Sequence, residues 1–285
     1  MVHSVNSHLV RFGIITDIHF SADSEPAAAM ATAAELRACM ACWKRNHVDF
    51  LLQLGDLIKG SETHKHEEFR QISSILKPFP GAIRHVIGNH CLALPRQELM
   101  EAFGLQTSFY TFSAKEFRFI VLDGMDLSVL RKPETEEERQ ILACFHAYPD
   151  MHDYCGAVGT RQKAWLQREL EKADHAGEKV IIICHFPLLP ETTDQKHGLL
   201  WNHHEIAGLV SSSPAVMACI SGHYHYGGYA LHNSIHFVVL PAFVNRSEHP
   251  RFTCGTVELQ RERMVVRNQL DEKLYDLPFS RSSLT

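Results

Sequence analysis

The 285-residue sequence has no apolar run approaching the ~20 residues that span a bilayer, so it does not read as a membrane protein. It has no excess of basic residues; a net charge of −5 argues against a nucleic-acid backbone as partner. A basic segment followed by an apolar core and a small-residue cleavage site is missing from the N-terminus, which reads instead as the lead into a first strand. There is no internal repeat, low-complexity segment or linker. The one C-x-x-C pair, Cys39 and Cys42, lies in an Ala-rich helical stretch and has no second cysteine pair at zinc spacing. The other cysteines include Cys184 in VIIICHF and Cys219 in VMACIS, inside apolar runs, as expected of buried free thiols in a reducing compartment. These absences leave a cytoplasmic globular protein whose charged fraction of 21% is ordinary.

What is present is a strand–helix alternation followed by a strand-rich second half. Strands are expected over 9–16, 48–56, 82–90, 179–187 and 215–221, with a hairpin over 108–124 and antiparallel strands after residue 226. Helices are expected over 26–46, 62–76, 95–103, 161–175 and 203–212. Residues 126–160 are polar and irregular, with an acidic helix near 134–146, and read as a cap insertion; residues 271–285 read as a C-terminal tail. Two sheets in contact with helices outside, within one domain over 1–285, account for this order.

Five of the apolar strands end in metal-ligand chemistry: Asp17-Ile-His19, Gly55-Asp56, Gly88-Asn89-His90, Cys184-His185 and Gly222-His223-Tyr-His225. With 20 histidines in the chain, any one of these signals is weak; five in order, each closing a strand, are not. Alternation along an extended segment would put Asp17 with His19, and His223 with His225, on one side. Carboxylates, imidazoles and an amide oxygen suit first-row divalent ions.

The order D-x-H, GD, GNH, H, GHxH resembles the calcineurin-like metallophosphoesterase superfamily over roughly residues 10–245. The resemblance implies an α/β four-layer αββα sandwich, two mixed sheets flanked by helices, with a dinuclear metal site at the strand ends. It also implies that Asp17, His19 and His225 hold one ion, Asn89, His185 and His223 the other, and Asp56 bridges them. His90 then lies outside the ligand set as the catalytic group near the phosphate. Manganese or iron comes first and zinc is also compatible; two such cations about 3.5–4 Å apart clamp the attacking and leaving oxygens and supply a hydroxide near neutral pH. The superfamily usually has an acid after GNH; here it is Cys91, a poor acceptor for an imidazolium.

Three longer stretches, FRFIVLDGMDLSVL (117–130), EKVIIICHFPLLPETTDQKHGLLWNHHEI (178–206) and GHYHYGGY (222–229), are similar to the manganese-dependent ADP-ribose/CDP-alcohol diphosphatases. That similarity implies a small nucleotide substrate cleaved at a phosphoanhydride or phosphodiester; cyclic-nucleotide phosphodiesterase chemistry, or a metal-binding protein without turnover, are the alternatives. Asp23, Trp201, Asn202, His203 and Tyr226 are the expected substrate contacts from their places beside the ligands. Oligomeric state is not readable.

Overall fold

The computed structural model describes residues 10–22, 25–131, 133, 135–147, 152–194 and 198–279. Two six-stranded sheets lie face to face. The first runs β12-β11-β10-β1-β2-β3, with β1 at Val10–Ile15, β2 at Phe50–Gln53, β3 at Ala82–His85, β10 at Gly255–Gln260, β11 at Arg263–Asn268 and β12 at Lys273–Pro278. The second runs β4-β5-β6-β7-β9-β8, with β4 at Tyr110–Ala114, β5 at Phe117–Leu122, β6 at Lys179–Cys184, β7 at Val216–Ser221, β8 at Gly228–His232 and β9 at Ile235–Val239. Both sheets are mixed: β1 pairs in parallel with β2 and antiparallel with β10, and β5, β6, β7 and β9 run parallel while β4 and β8 close the edges antiparallel.

Strand alternation sorts side chains into three apolar layers. Phe117, Phe119 and Val121 of β5 point between the sheets, where they meet Phe12 and Ile14 of β1 and Val257 and Leu259 of β10. Ile120 and Leu122 point the other way, onto Leu166 and Leu170 of helix α5 (Thr160–Ala176) and Ile206 and Val210 of α6 (His203–Ser212). Behind the first sheet, Ile15 and Leu51 pack on Leu36 and Trp43 of α1 (Pro26–Arg45) and Ile72 of α2 (Lys65–Leu76). Helix, sheet, sheet and helix thus form four layers, as the resemblance implied. Among the described residues no helix is long and apolar enough to cross a membrane.

Two expectations are corrected. Residues 273–278 of the supposed tail are the edge strand β12, registered against β11 with Leu277 buried between the sheets. The strand expected over 82–90 stops at His85, and Asn89 and His90 begin a 3₁₀ turn, His90–Ala93. The acidic helix is α4, Glu136–His146, capped by the Thr135 side chain accepting from the Glu138 N–H. The α3 helix occupies Arg96–Phe103.

Candidate metal centre

The parallel strands β1, β2, β5, β6 and β7 share a direction, so the loops that follow them gather at one edge of the sandwich. These loops are tied by their backbones. Asp17 N–H donates to the Gly55 carbonyl (3.2 Å), His19 to Asp56 (3.0 Å), Gly222 to His185 (3.0 Å) and Val244 to Asp17 (3.0 Å). The ligand-type residues leave the strands by left-handed turns: φ is 50° at Asp17, 45° at His19, 53° at Asp56 and 63° at His223. Non-glycine residues rarely adopt this conformation, and such strain clusters at functional sites. Convergence of Asp17 with His19, and of His223 with His225, therefore comes from these turns and not from the i, i+2 alternation of an extended segment. Glycine is required where the loops touch. A Cβ on Gly222 would lie 1.9 Å from Thr16 Oγ1 and 2.6 Å from Asp17 Oδ2.

The seven side chains named from the sequence as ligands come together in the structure. Asp17, Asp56, His185 and His223 offer ligand atoms within 4.8 Å of one another, and so do Asp17, His19 and His225. Asn89 Oδ1 is 3.3 Å from His185 Nε2. Asp56 faces both groups: its Oδ2 is 3.3 Å from His185 Nε2 and 3.7 Å from His19 Nε2. A third group joins His90 to His19 and Asp56. Asp17, Asp56 and His185 are fully buried or nearly so.

The outer atoms of these ligands are held by neighbours that sequence did not flag. His185 Nδ1 donates to the Leu54 carbonyl (2.8 Å), which turns Nε2 toward the cluster. His225 Nδ1 lies 2.8 Å from Asn245 Oδ1. Asp17 Oδ2 accepts from Thr16 Oγ1 (2.5 Å) and from His223 N–H (2.9 Å). Asp56 Oδ1 accepts the His90 N–H (2.9 Å). Yet two buried atoms, Asp17 Oδ1 and His19 Nε2, have no hydrogen-bond partner. A buried polar atom left so is costly, and a cation between them satisfies both.

Electrostatics agree. Burial alone would raise the pKa of Asp17, but the imidazoles of His19 and His225, each with Nε2 3.6 Å from Oδ1, hold it well below the usual carboxylate range. Asp56 is likewise held down against burial, chiefly by the charge of His185. Burial would lower His185, and the field of Asp56 overrides it and lifts the imidazole to about 9. Burial, reinforced by His185, pushes His223 down to about 3. Two ionised carboxylates amid imidazoles are a donor set that a divalent cation fits.

Above this floor opens a cleft of about 460 Å³, lined by Asn89, His90, His223 and His225 below and by Tyr154, Tyr224, Tyr226, Asp194 and Asn245 at the rim. Of the expected substrate contacts, Tyr226 is here, 61% exposed. Trp201, Asn202 and His203 are not among the lining residues. Trp201 is buried, and its Nε1 donates to the His152 carbonyl (3.0 Å). The Asn202 amide accepts from Val158 N–H (3.1 Å) and donates to Val158 O (2.9 Å). His203 Nδ1 pairs with the Leu200 carbonyl (2.9 Å) at the start of α6. Trp201 and Asn202 act one step back, clamping residues 152–158, the stretch that carries Tyr154 and Cys155 to the cleft. Asp23 lies outside the described residues. Cys91 is buried, its thiol pushed up to about 12 by burial and by Asp56, and His90 is held without it: His90 Nδ1 lies 2.6 Å from the Lys59 carbonyl.

Known proteins are similar to this chain in sequence and in fold. A manganese-dependent ADP-ribose/CDP-alcohol diphosphatase from Arabidopsis thaliana is 28% identical over 254 residues, 78% of this chain and 81% of that protein. The Danio rerio protein of the same name is 26% identical, over 90% of this chain and 94% of its own. The crystal structure of a dimetal phosphatase from Danio rerio superposes with a TM-score of 0.83 at 25% identity, covering 96% of this chain and all of that one. The sequence profile of the calcineurin-like phosphoesterases matches residues 10–227, the span that holds every strand-end ligand. With the four-layer fold and the clustered carboxylates and imidazoles in place, the chain belongs to the calcineurin-like phosphoesterase family and is a metal-dependent phosphohydrolase.

Proposed function

We propose that the protein hydrolyses the phosphoanhydride of a nucleotide diphosphate derivative, of the ADP-ribose or CDP-alcohol type, and releases a nucleoside monophosphate. The observation that carries this reading is the cleft itself: a floor of metal-ligand side chains for the diphosphate, under exposed tyrosines at the rim that fit a planar base. The names of the Arabidopsis and Danio relatives support it.

In this reading Asp17, His19 and His225 would hold one manganese ion, Asn89, His185 and His223 would hold the other, and Asp56, which faces both groups, would be shared. Bound there, the ions supply Lewis acidity toward the phosphoryl oxygens and lower the pKa of water. The chain's own residues do the rest. Leu54, Asn245 and Thr16 fix the ligand side chains before substrate arrives, which is the preorganisation that electrostatic catalysis needs. His90 donates from Nδ1 to the Lys59 carbonyl and presents Nε2 to the cleft; in its imidazolium form it gives the Nε2 proton to the departing phosphate oxygen and is left neutral, with its remaining proton on Nδ1. Tyr154, Tyr224 and Tyr226 hold the base, and residues 126–160 serve as a cap that sets the shape of the cleft. The substrate is a small molecule rather than a nucleic acid, and the free cysteines support a reducing, cytoplasmic setting.

The test is a panel of ADP-ribose, CDP-choline, cyclic AMP and bis-p-nitrophenyl phosphate on manganese-loaded protein, with products separated by chromatography. Nucleoside monophosphate from ADP-ribose or CDP-choline is the expected product. Cyclic AMP hydrolysed far faster than either would replace the phosphoanhydride reading by a cyclic-nucleotide one.

A further inference from the structure

His223 sits where the candidate metal centre meets the loop 152–158. One ring nitrogen, Nδ1, faces the cluster, 3.1 Å from His185 Nε2. The other, Nε2, lies 3.8 Å from Cys155 Sγ. The ring is wedged by Phe186 (centroids 4.5 Å apart) and Tyr154 (5.8 Å), and Gly198 backs it so closely that an added Cβ would come within 3.1 Å of Cδ2. Cys155 is 2% exposed.

Proton placement decides what this contact is for. As a metal ligand His185 carries its one ring proton on Nδ1, because its partner there is a carbonyl, and turns the Nε2 lone pair inward. For His223 to offer the same ion a lone pair from Nδ1, its proton must sit on Nε2. Cys155 sulfur is the polar atom the structure pairs with that nitrogen. Metal-bound histidines almost always donate their outer N–H to some acceptor, which fixes tautomer and ring orientation. We propose that Cys155 is a positioning residue for the metal centre: its sulfur accepts the Nε2–H of His223 and holds the imidazole with Nδ1 toward the ion.

The two candidate sites are therefore unequal. His225 is backed by an amide oxygen of Asn245, whereas His223 is backed by sulfur, a weaker acceptor. The ion on the His185/His223 side should be the more weakly held. This rests on the metal assignment of the proposed function.

The experiment titrates Mn²⁺ into chelator-treated full-length protein, counting free ion by electron paramagnetic resonance, for the parent, Cys155→Ser, Cys155→Ala and Cys155→Val. The parent should bind two ions. Cys155→Ala and Cys155→Val should weaken one of them by about 10–100-fold, the usual cost of removing an outer partner, and leave the other unchanged. Cys155→Ser, whose hydroxyl still accepts, should restore most of the loss. In Zn²⁺-loaded, ¹⁵N-histidine-labelled protein, the His223 proton should appear on Nε2 and exchange slowly in the parent and Cys155→Ser, and exchange faster in Cys155→Ala. Cys155→Val keeps volume and decides the matter if Cys155→Ala does not fold. Parent-like binding of both ions by the Ala and Val variants would overturn the proposal, as would a serine variant as weak as alanine. A parent that binds no ion would instead sink the metal assignment itself.

Discussion

His90 Nδ1 lies 2.6 Å from the carbonyl oxygen of Lys59, thirty-one residues earlier in the chain. A carbonyl only accepts, so Nδ1 carries a proton in either charge state of the ring, and Nε2 is the nitrogen left to face the cleft and to give up or take the other. The chain thus orients this histidine with backbone, and not with a carboxylate from the next residue, which here is Cys91. A main-chain acceptor also leaves no extra negative charge beside Asp56, whose Oδ1 already takes the His90 N–H.

His90→Ala should keep both metal ions and lose roughly 10²–10⁴-fold in turnover, the size expected for a general acid. The loss should be smaller on bis-p-nitrophenyl phosphate, whose leaving group needs little protonation. Elemental analysis beside steady-state rates separates this from the rival in which His90 joins His19 and Asp56 as a ligand. Loss of one ion in the variant would favour the rival.

Cys91→Asp should not improve the enzyme. Cys91 is 1% exposed, packed with Ile15, Ile18 and Leu94, and its neighbourhood already disfavours an anion. A carboxylate there would be buried, unpaired and close to Asp56. Such a change costs on the order of 2–5 kcal/mol, which lowers the melting temperature by roughly 5–15 °C in a chain of this size. Calorimetry and rate measurements check it. A variant as stable as the parent and several-fold faster would show that the Lys59 carbonyl is not an adequate partner for His90.

His85 gives the fold an acid-sensitive point away from the metals. Its ring stacks on Phe103 (centroids 4.0 Å, interplanar angle 6°), and burial lowers its pKa to about 3 from an ordinary 6.5. The folded chain keeps it neutral while the unfolded chain protonates it. Its contribution is intact above pH 6.5 and drains away as pH falls from 6.5 toward 3, by at most about 1.4 kcal/mol per pH unit. His85→Phe should keep the stack and flatten the acid limb of a stability–pH curve by up to one proton. An unchanged slope between pH 4 and 6 would mean His85 titrates normally in the fold.

The layers were legible because apolar alternation is a property of each strand alone: Phe117, Phe119 and Val121 face one way and Ile120 and Leu122 the other whatever lies opposite. The ligand set was legible because residue type and chain order suffice to name it. What sequence could not give is what other parts of the chain bring. Cys155 reaches His223 across 68 positions and Asn245 reaches His225 across 20, and neither carries a local pattern. Strand β12 was read as a tail because KLYDLP is short, charged and at a sheet edge, where half its backbone needs no partner. Positive φ at Asp17, His19, Asp56 and His223 went unseen because none is glycine, and sequence marks left-handed turns mainly through glycine.

Asn202 tests the structural reading against the sequence expectation. It stood as a substrate contact from its place between two ligand histidines, yet its amide is spent on both the N–H and the carbonyl of Val158. Asn202→Ala removes the two hydrogen bonds to Val158, with an exposed one to Glu205, and leaves two partly buried backbone groups unpaired, at a cost of about 1–3 kcal/mol each where water cannot replace the partner. The loop 152–158 should loosen at its Val158 end, while the Trp201 bonds to the His152 and Gly156 carbonyls and the Ala157–Leu127 backbone pair still tether it. Hydrogen exchange should rise at Val158 and Cys155 while amides of β6 and β7 stay protected. Binding of a nucleoside monophosphate should weaken several-fold because Tyr154 rides on that loop, and the metal ion on the His225 side should be held as before. A direct substrate contact predicts the opposite pattern: weakened nucleotide binding with the exchange of Val158 and Cys155 unchanged. That result would return Asn202 to the cleft and take from the loop its dependence on this one side chain.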